Sequence, residues 1–148
     1  MPKGQEVTRR YLGREDLELL KEFKGTEKQE RVRDCFLFQC YTGIAYQDMA
    51  DLRQEDLVIH NGTPFIILNR VKTGEESAVP ILPQAHSIIE KYRNEDKRAK
   101  MLPVTTNQHM NRVLKDIRTA LQMKQELTTH VARHTFATTV TLEKRGAH

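Results

Sequence analysis

No stretch of this sequence approaches the roughly 20 consecutive apolar residues that a membrane-spanning helix requires, and the opening MPKGQEVTRR lacks the apolar core of a secretory leader. Neither a membrane protein nor an exported one is expected; the expected location is the cytoplasm. Cysteine is scarce. The only two, Cys35 and Cys40, stand inside an apolar stretch and match neither a Cys-x-x-Cys redox or zinc pattern nor a disulfide framework. They read as small buried hydrophobes. Internal repeats and low-complexity segments are also missing, so a repeat architecture is not expected. What is present suits one soluble globular domain: 148 residues, 38% hydrophobic and 30% charged, enough to bury a core and too few for two substantial ones. The net charge of +4 permits an anionic partner without naming one.

Apolar spacing is mostly helical. In REDLELLKEFKG, Leu17, Leu20 and Phe23 share a face, and Gly25 is the expected stop. Thr26 opens a second helix, with Gln29 completing a capping box. There Val32, Cys35, Phe36 and Cys40 form one stripe, and Leu37 and Tyr41 add another, which predicts a central buried helix. A short helix from about Tyr46 to Leu52 should follow Thr42-Gly43. The period then changes. DLVIH, the turn Asn61-Gly62, TPFIILNRVK, the turn TGEE and SAVPI predict three short antiparallel strands joined by two hairpins. After Pro83, the residues Ala85, Ile88, Ile89 and Tyr92 form a helical stripe. RNEDKRAK reads as a charged linker with a solvated surface. Met110, Val113, Leu114, Ile117, Ala120 and Leu121 then mark an amphipathic helix. The expected fold class is mainly α with a small three-stranded antiparallel β-sheet.

The stretch HVARHTFATT concentrates two histidines and an arginine within five residues. With Thr128 or Thr129 as N-cap, His130, Arg133 and His134 fall on one helical face, while Ala132, Phe136 and Val140 anchor a neighbouring face to the core. Unpaired N–H groups and the dipole at a helix start favour anions, and imidazoles with a guanidinium there suit a phosphate. Other readings compete. His130 and His134 have the spacing of a zinc pair, but the glutamate of His-Glu-x-x-His is missing and no third ligand suggests itself. The motif alone also fits a capped helix whose polar groups satisfy local carboxylates and carbonyls. Lys72-Thr73-Gly74 has the Lys-Thr-Gly of penicillin-binding enzymes, without their Ser-x-x-Lys or Ser-Asp-Asn.

THVARHTFAT resembles the His-x-x-Arg-His box of the tyrosine recombinases, the phage-integrase family of site-specific DNA recombinases. Three more segments agree in order. YTGIAYQDMADLRQEDL is similar to the family's first arginine box, LNRVKTGEESAVPI to its β-hairpin, and MNRVLKDI to the helix before the second box. The resemblance runs from about Arg14 to Ala147, and the Tyr-x-Asp variant of the first box is most similar to the branch carried by conjugative transposons.

That resemblance implies phosphoryl transfer on double-stranded DNA without metal or other cofactor. In the family a tyrosine attacks a phosphodiester to form a 3′-phosphotyrosyl link, arginines and a histidine hold the phosphate oxygens, and a hairpin lysine protonates the leaving 5′-oxygen. Fixed guanidinium groups suit the negative charge gathered on the non-bridging oxygens, and an imidazole exchanges a proton near neutral pH. Carried over by position, Arg133 is the second arginine, His130 the box histidine and Lys72 the hairpin acid; His134, Asp48 and Arg70 support the site. Two departures stand out. Ala45 occupies the place of the first arginine, and Tyr11, Tyr41, Tyr46 and Tyr92 all precede the box, whereas the family's nucleophile follows it. The expectation is therefore a C-terminally truncated catalytic domain, residues 1–13 being a linker or tail from a missing core-binding domain. The parent would assemble as a tetramer on DNA, and this piece would be inactive alone. The alternative is a degenerate module that only binds DNA or a partner protein.

Overall fold

The computed structural model describes residues 10–70, 74–95 and 99–141. Helix α1 spans Arg14–Glu22, opening where the Gly13 N–H donates to the Asp16 carboxylate at 3.1 Å and burying Leu17 and Leu20. It stops before Gly25, contrary to expectation: Phe23, at φ −59° and ψ 131°, already leaves the helix. Gly25 is not in the left-handed region. A Cβ there would lie 2.4 Å from Gln29 Oε1 and 2.7 Å from the Phe23 ring, so a larger residue would have to displace these side chains.

Helix α2 (Glu27–Thr42) starts on the expected capping box: Thr26 Oγ1 accepts from the Gln29 N–H at 3.1 Å, and Gln29 Oε1 accepts from the Thr26 N–H at 3.0 Å. From Val32 to Thr42 every residue is buried, because α1 and three later helices, α4 (Pro83–Lys91), α5 (Asn107–Leu121) and α6 (Thr129–Thr135), surround it. Burial includes a charged pair. Arg33 Nε donates to Asp34 at 2.7 Å while its Nη1 donates to the Leu20, Lys21 and Phe23 carbonyls, closing the C-terminus of α1. Asp34 also accepts from Lys91 Nζ at 2.8 Å and from the Tyr92 hydroxyl, which ties α2 to α4.

Gly43, left-handed at φ 74°, ends α2. Helix α3 (Tyr46–Asp51) and a 3₁₀ turn (Gln54–Asp56) lead to a three-stranded antiparallel sheet in the order β1 (Leu57–His60), β2 (Thr63–Arg70), β3 (Glu75–Pro80). Asn61 (φ 53°) and Gly62 (φ 80°) form the first hairpin turn, pairing His60 with Thr63. Ile66 and Leu68 of β2 point into the core.

Helix α4 (Pro83–Lys91) buries Ala85 and Ile89. The last residues of the charged stretch after it are docked rather than linker-like: Lys100 bridges to Arg53, its Nζ donates to the Ala50 carbonyl at 3.2 Å, and Met101 and Leu102 are buried. Helix α5 (Asn107–Leu121), capped by Thr106, buries Met110, Val113, Leu114 and Ile117. Ala120 is exposed, since the buried stripe ends at Ile117. Helix α6 (Thr129–Thr135) runs into a π-helical turn (Phe136–Val140). Leu12, inside the stretch expected to be a linker, is fully buried against these last elements, so the packed domain begins no later than Leu12.

Candidate nucleic-acid interface

Thr128 caps α6, its hydroxyl accepting from the Val131 N–H at 3.1 Å. The helix then divides by face. Val131, Ala132 and Thr135 are buried, whereas His130, Arg133 and His134 are exposed. The two imidazoles lie 4.9 Å apart between ring centroids. Among the described residues, Arg133 has neither an ion pair nor a side-chain hydrogen bond, and none links it to Asp48. A guanidinium left in water beside two imidazoles is available to an anion; one committed to a structural carboxylate is not. No group of three or more metal-capable side chains occurs among the described residues.

Helix α2 holds the first-box loop against α6. Gln39, fully buried, donates through Nε2 to the Ile44 carbonyl at 3.3 Å and to Thr129 Oγ1 at 2.5 Å. The Phe136 ring covers Gly43 so closely that a Cβ there would lie 2.6 Å from it. Ala45, the N-cap of α3, and Asp48 in the first turn of that helix are both half-buried. The loop that carries Ala45 is thus tied to the first turn of α6 at Thr129, one residue before His130.

Arg70 ends β2 opposite Glu75, at the base of the second hairpin. Lys72 lies outside the described residues. Between α5 and the start of α6 runs a groove of about 410 Å³, lined by Asn107, Asn111, Lys115 and Arg118 of α5, by Glu126, and by His130. Arg133 is not part of that lining. Sequence reasoning missed the α5 stripe although its signal was present. Asn107, Asn111, Lys115 and Arg118 repeat at helical spacing opposite the apolar face. Within the groove Arg118 is already engaged, donating to the Met123 carbonyl at 3.2 Å and the Lys124 carbonyl at 2.8 Å.

None of the tyrosines offers a free, exposed phenol. Tyr41 is buried, Tyr46 donates to the Thr105 carbonyl, Tyr92 is buried and donates to Asp34, and Tyr11 is half-buried. Burial, then the Asp34 carboxylate, pushes the Tyr92 phenol well above the ordinary tyrosine value. Burial likewise raises Tyr46. Among the described residues no helix is long and apolar enough to cross a membrane.

The fold is that of tyrosine-recombinase catalytic domains. The XerH site-specific recombinase bound to difH substrate in a pre-cleavage complex superposes with a TM-score of 0.72 at 19% identity, over 95% of this chain and 45% of that one. The lambda integrase bound to DNA gives 0.66 at 14%, over 93% and 53%, and the Tn1549 transposon integrase in complex with circular intermediate DNA gives 0.61 at 16%, over 97% and 55%. The chain thus spans about half the length of these solved structures. No curated protein matched it by sequence. The family model described as the phage integrase family matches residues 10–145, and with both arginine-box segments inside that match the chain belongs to the phage integrase family of tyrosine recombinases.

Proposed function

We propose that this chain supplies the phosphate-binding clamp of a site-specific DNA recombinase that cuts and rejoins double-stranded DNA through a phosphotyrosine intermediate. The carrying observation is Arg133, exposed beside His130 and His134 on a helix anchored from behind, with no ionic partner among the described residues. In this reading Arg133 binds the non-bridging oxygens, whose charge grows as the attacking oxygen approaches. His130 hydrogen-bonds the same phosphate and exchanges a proton, and Lys72 protonates the departing 5′-oxygen. His134, Asp48 and Arg70 support the site. Tyr11, Tyr41, Tyr46 and Tyr92 do not act as nucleophile, the last three being committed to core packing or hydrogen bonds. This chain spans about half the length of the similar recombinases, and in this reading the attacking tyrosine is supplied from outside these residues. The first-box sequence and the likeness to the Tn1549 integrase support a place in the conjugative-transposon branch. The parent enzyme would act in the cytoplasm as a tetramer on DNA, the assembly that the resemblance to the family implies.

Ala45 favours a second reading, a module that binds DNA or a partner protein without cutting. Two measurements test the proposal. Incubated with a nicked suicide duplex, the chain should form no covalent adduct, because a clamp cannot replace a nucleophile; a shifted protein–DNA band in a denaturing gel would overturn that assignment. Fluorescence anisotropy should show weak, sequence-indifferent duplex binding that collapses as salt rises. Tight, salt-insensitive binding would favour the second reading.

A further inference from the structure

Leu12, two residues before α1, is fully buried, yet neither of its backbone polar groups is paired within a strand or helix. Both are taken by threonines of the last two elements. The Leu12 N–H donates to Thr135 Oγ1 at 2.8 Å, and the Leu12 carbonyl accepts from Thr139 Oγ1 at 2.5 Å. The Thr135 hydroxyl in turn donates to the Val131 carbonyl at 2.8 Å, one turn back along α6. Thr135 is itself fully buried. A buried amide without a partner is costly, so a hydroxyl at each of these positions is a specific requirement of the fold.

The two threonines straddle a change of helix type. Thr135 is the last α-helical residue of α6, and Thr139 lies within the π-helical turn. Short π-turns are rare, locally unfavourable and often found at functional sites, so tertiary contacts must hold them. Here Phe136 packs over Gly43 on one side and Thr139 holds Leu12 on the other. Each residue of an α-helix turns by about 100°. A slip of the π-turn by one residue would therefore rotate His130, Arg133 and His134 away from their common outward face.

We propose that Thr135 and Thr139 are positioning residues: by gripping the Leu12 backbone from both sides of the junction between α-helix and π-turn, they set the rotation of α6 and so the aim of His130 and Arg133. The inference rests on the reading of α6 as a phosphate-binding element. The segment entering α1 becomes a strap on the helix that carries the clamp, more than 120 residues away in sequence.

The test compares the full chain with T139V and T139S, and with T135V and T135S, by duplex-DNA anisotropy, by the NMR ring-proton resonances of His130 and His134, and by thermal melting. T139V should weaken DNA binding roughly threefold to tenfold, the worth of one lost hydrogen bond. It should also shift the His130 and His134 resonances while the protein still melts cooperatively, and T139S should restore both. If T135V does not fold, T139V decides, since the Thr139 hydroxyl lies in a half-buried site. A T139V protein with a lower melting temperature but unchanged histidine resonances and unchanged DNA affinity would overturn the proposal and leave the threonines a purely stabilising role. If the unmodified chain itself fails to bind duplex DNA, the phosphate reading falls, and the histidine resonances alone still decide whether the threonines set the aim of α6.

Discussion

Arg33 and Asp34 are neighbouring charges that the fold takes almost wholly out of water, each side chain 7% exposed. They are tolerable because every formal need is met: Arg33 closes the C-terminus of α1, and Asp34 receives Arg33, Lys91 and the Tyr92 hydroxyl. Arg33→Met leaves Asp34 with Lys91 and Tyr92 but strips the α1 carbonyls of their donor, so it should cost about 1–3 kcal/mol of stability by urea denaturation, the range for leaving buried acceptors unsatisfied. Cysteine behaviour is set at the same scale. Burial, then Asp34, pushes the Cys35 thiol up to about 12, and burial alone raises Cys40. Neither thiol should react with iodoacetamide in the folded protein at pH 8, whereas both should react in denaturant; fast alkylation of the native chain would contradict their burial. Sequence already presented both cysteines as core residues. It did not present Arg33 and Asp34 that way, because a charged pair is a surface feature until its partners on α1 and α4 arrive.

Among the elements, those defined by local chemistry were legible. Thr26 and Gln29 form their capping box, Asn61 and Gly62 take the left-handed conformations of the hairpin, and Thr128 caps α6. Elements shaped by neighbours were not. Gly25 marks a close approach rather than a stop, Ala120 lies past the buried stripe, and the π-turn after Thr135 has no local signature. Gly43 belongs to both groups. Its φ of 74° demands glycine, and the Phe136 ring fills the space of a Cβ. Gly43→Ala should therefore lose at least about 1–2 kcal/mol from the backbone conformation alone, seen as a lower melting temperature. It should also weaken DNA binding, because the same contact seats the first-box loop on α6. Gly62→Ala, where nothing lies within 4 Å of the added carbon, should show the backbone cost only.

For the whole molecule, the charge balance and the raised groups make two further tests. Tyr92 and Cys35 release their protons more easily in the unfolded chain than in the fold. Their contribution to stability is therefore complete below the ordinary thiol and phenol values of 9.0 and 10.0 and is lost as pH rises beyond them. Urea midpoints should hold steady up to about pH 9, where the thiol of the unfolded chain ionises, and fall above it; Tyr92→Phe should flatten part of that fall. On DNA, Arg133→Ala should weaken binding evenly across sequences and reduce the slope of log affinity against log salt by about 1, one phosphate contact. An unchanged slope would remove Arg133 from the clamp. Much of this molecule was determined along the chain itself: the strand and helix periods, the caps and turns, and the ordered boxes that carry the family. These are local in sequence, so residue type and spacing suffice to specify them. Tertiary structure alone decided that Gln39 joins the Ala45 loop to α6, that α5 contributes a polar groove beside His130, and that Leu12 holds the π-turn through Thr135 and Thr139. Each of those depends on residues tens to more than a hundred positions apart, whose buried donors and acceptors find one another only when the helices pack.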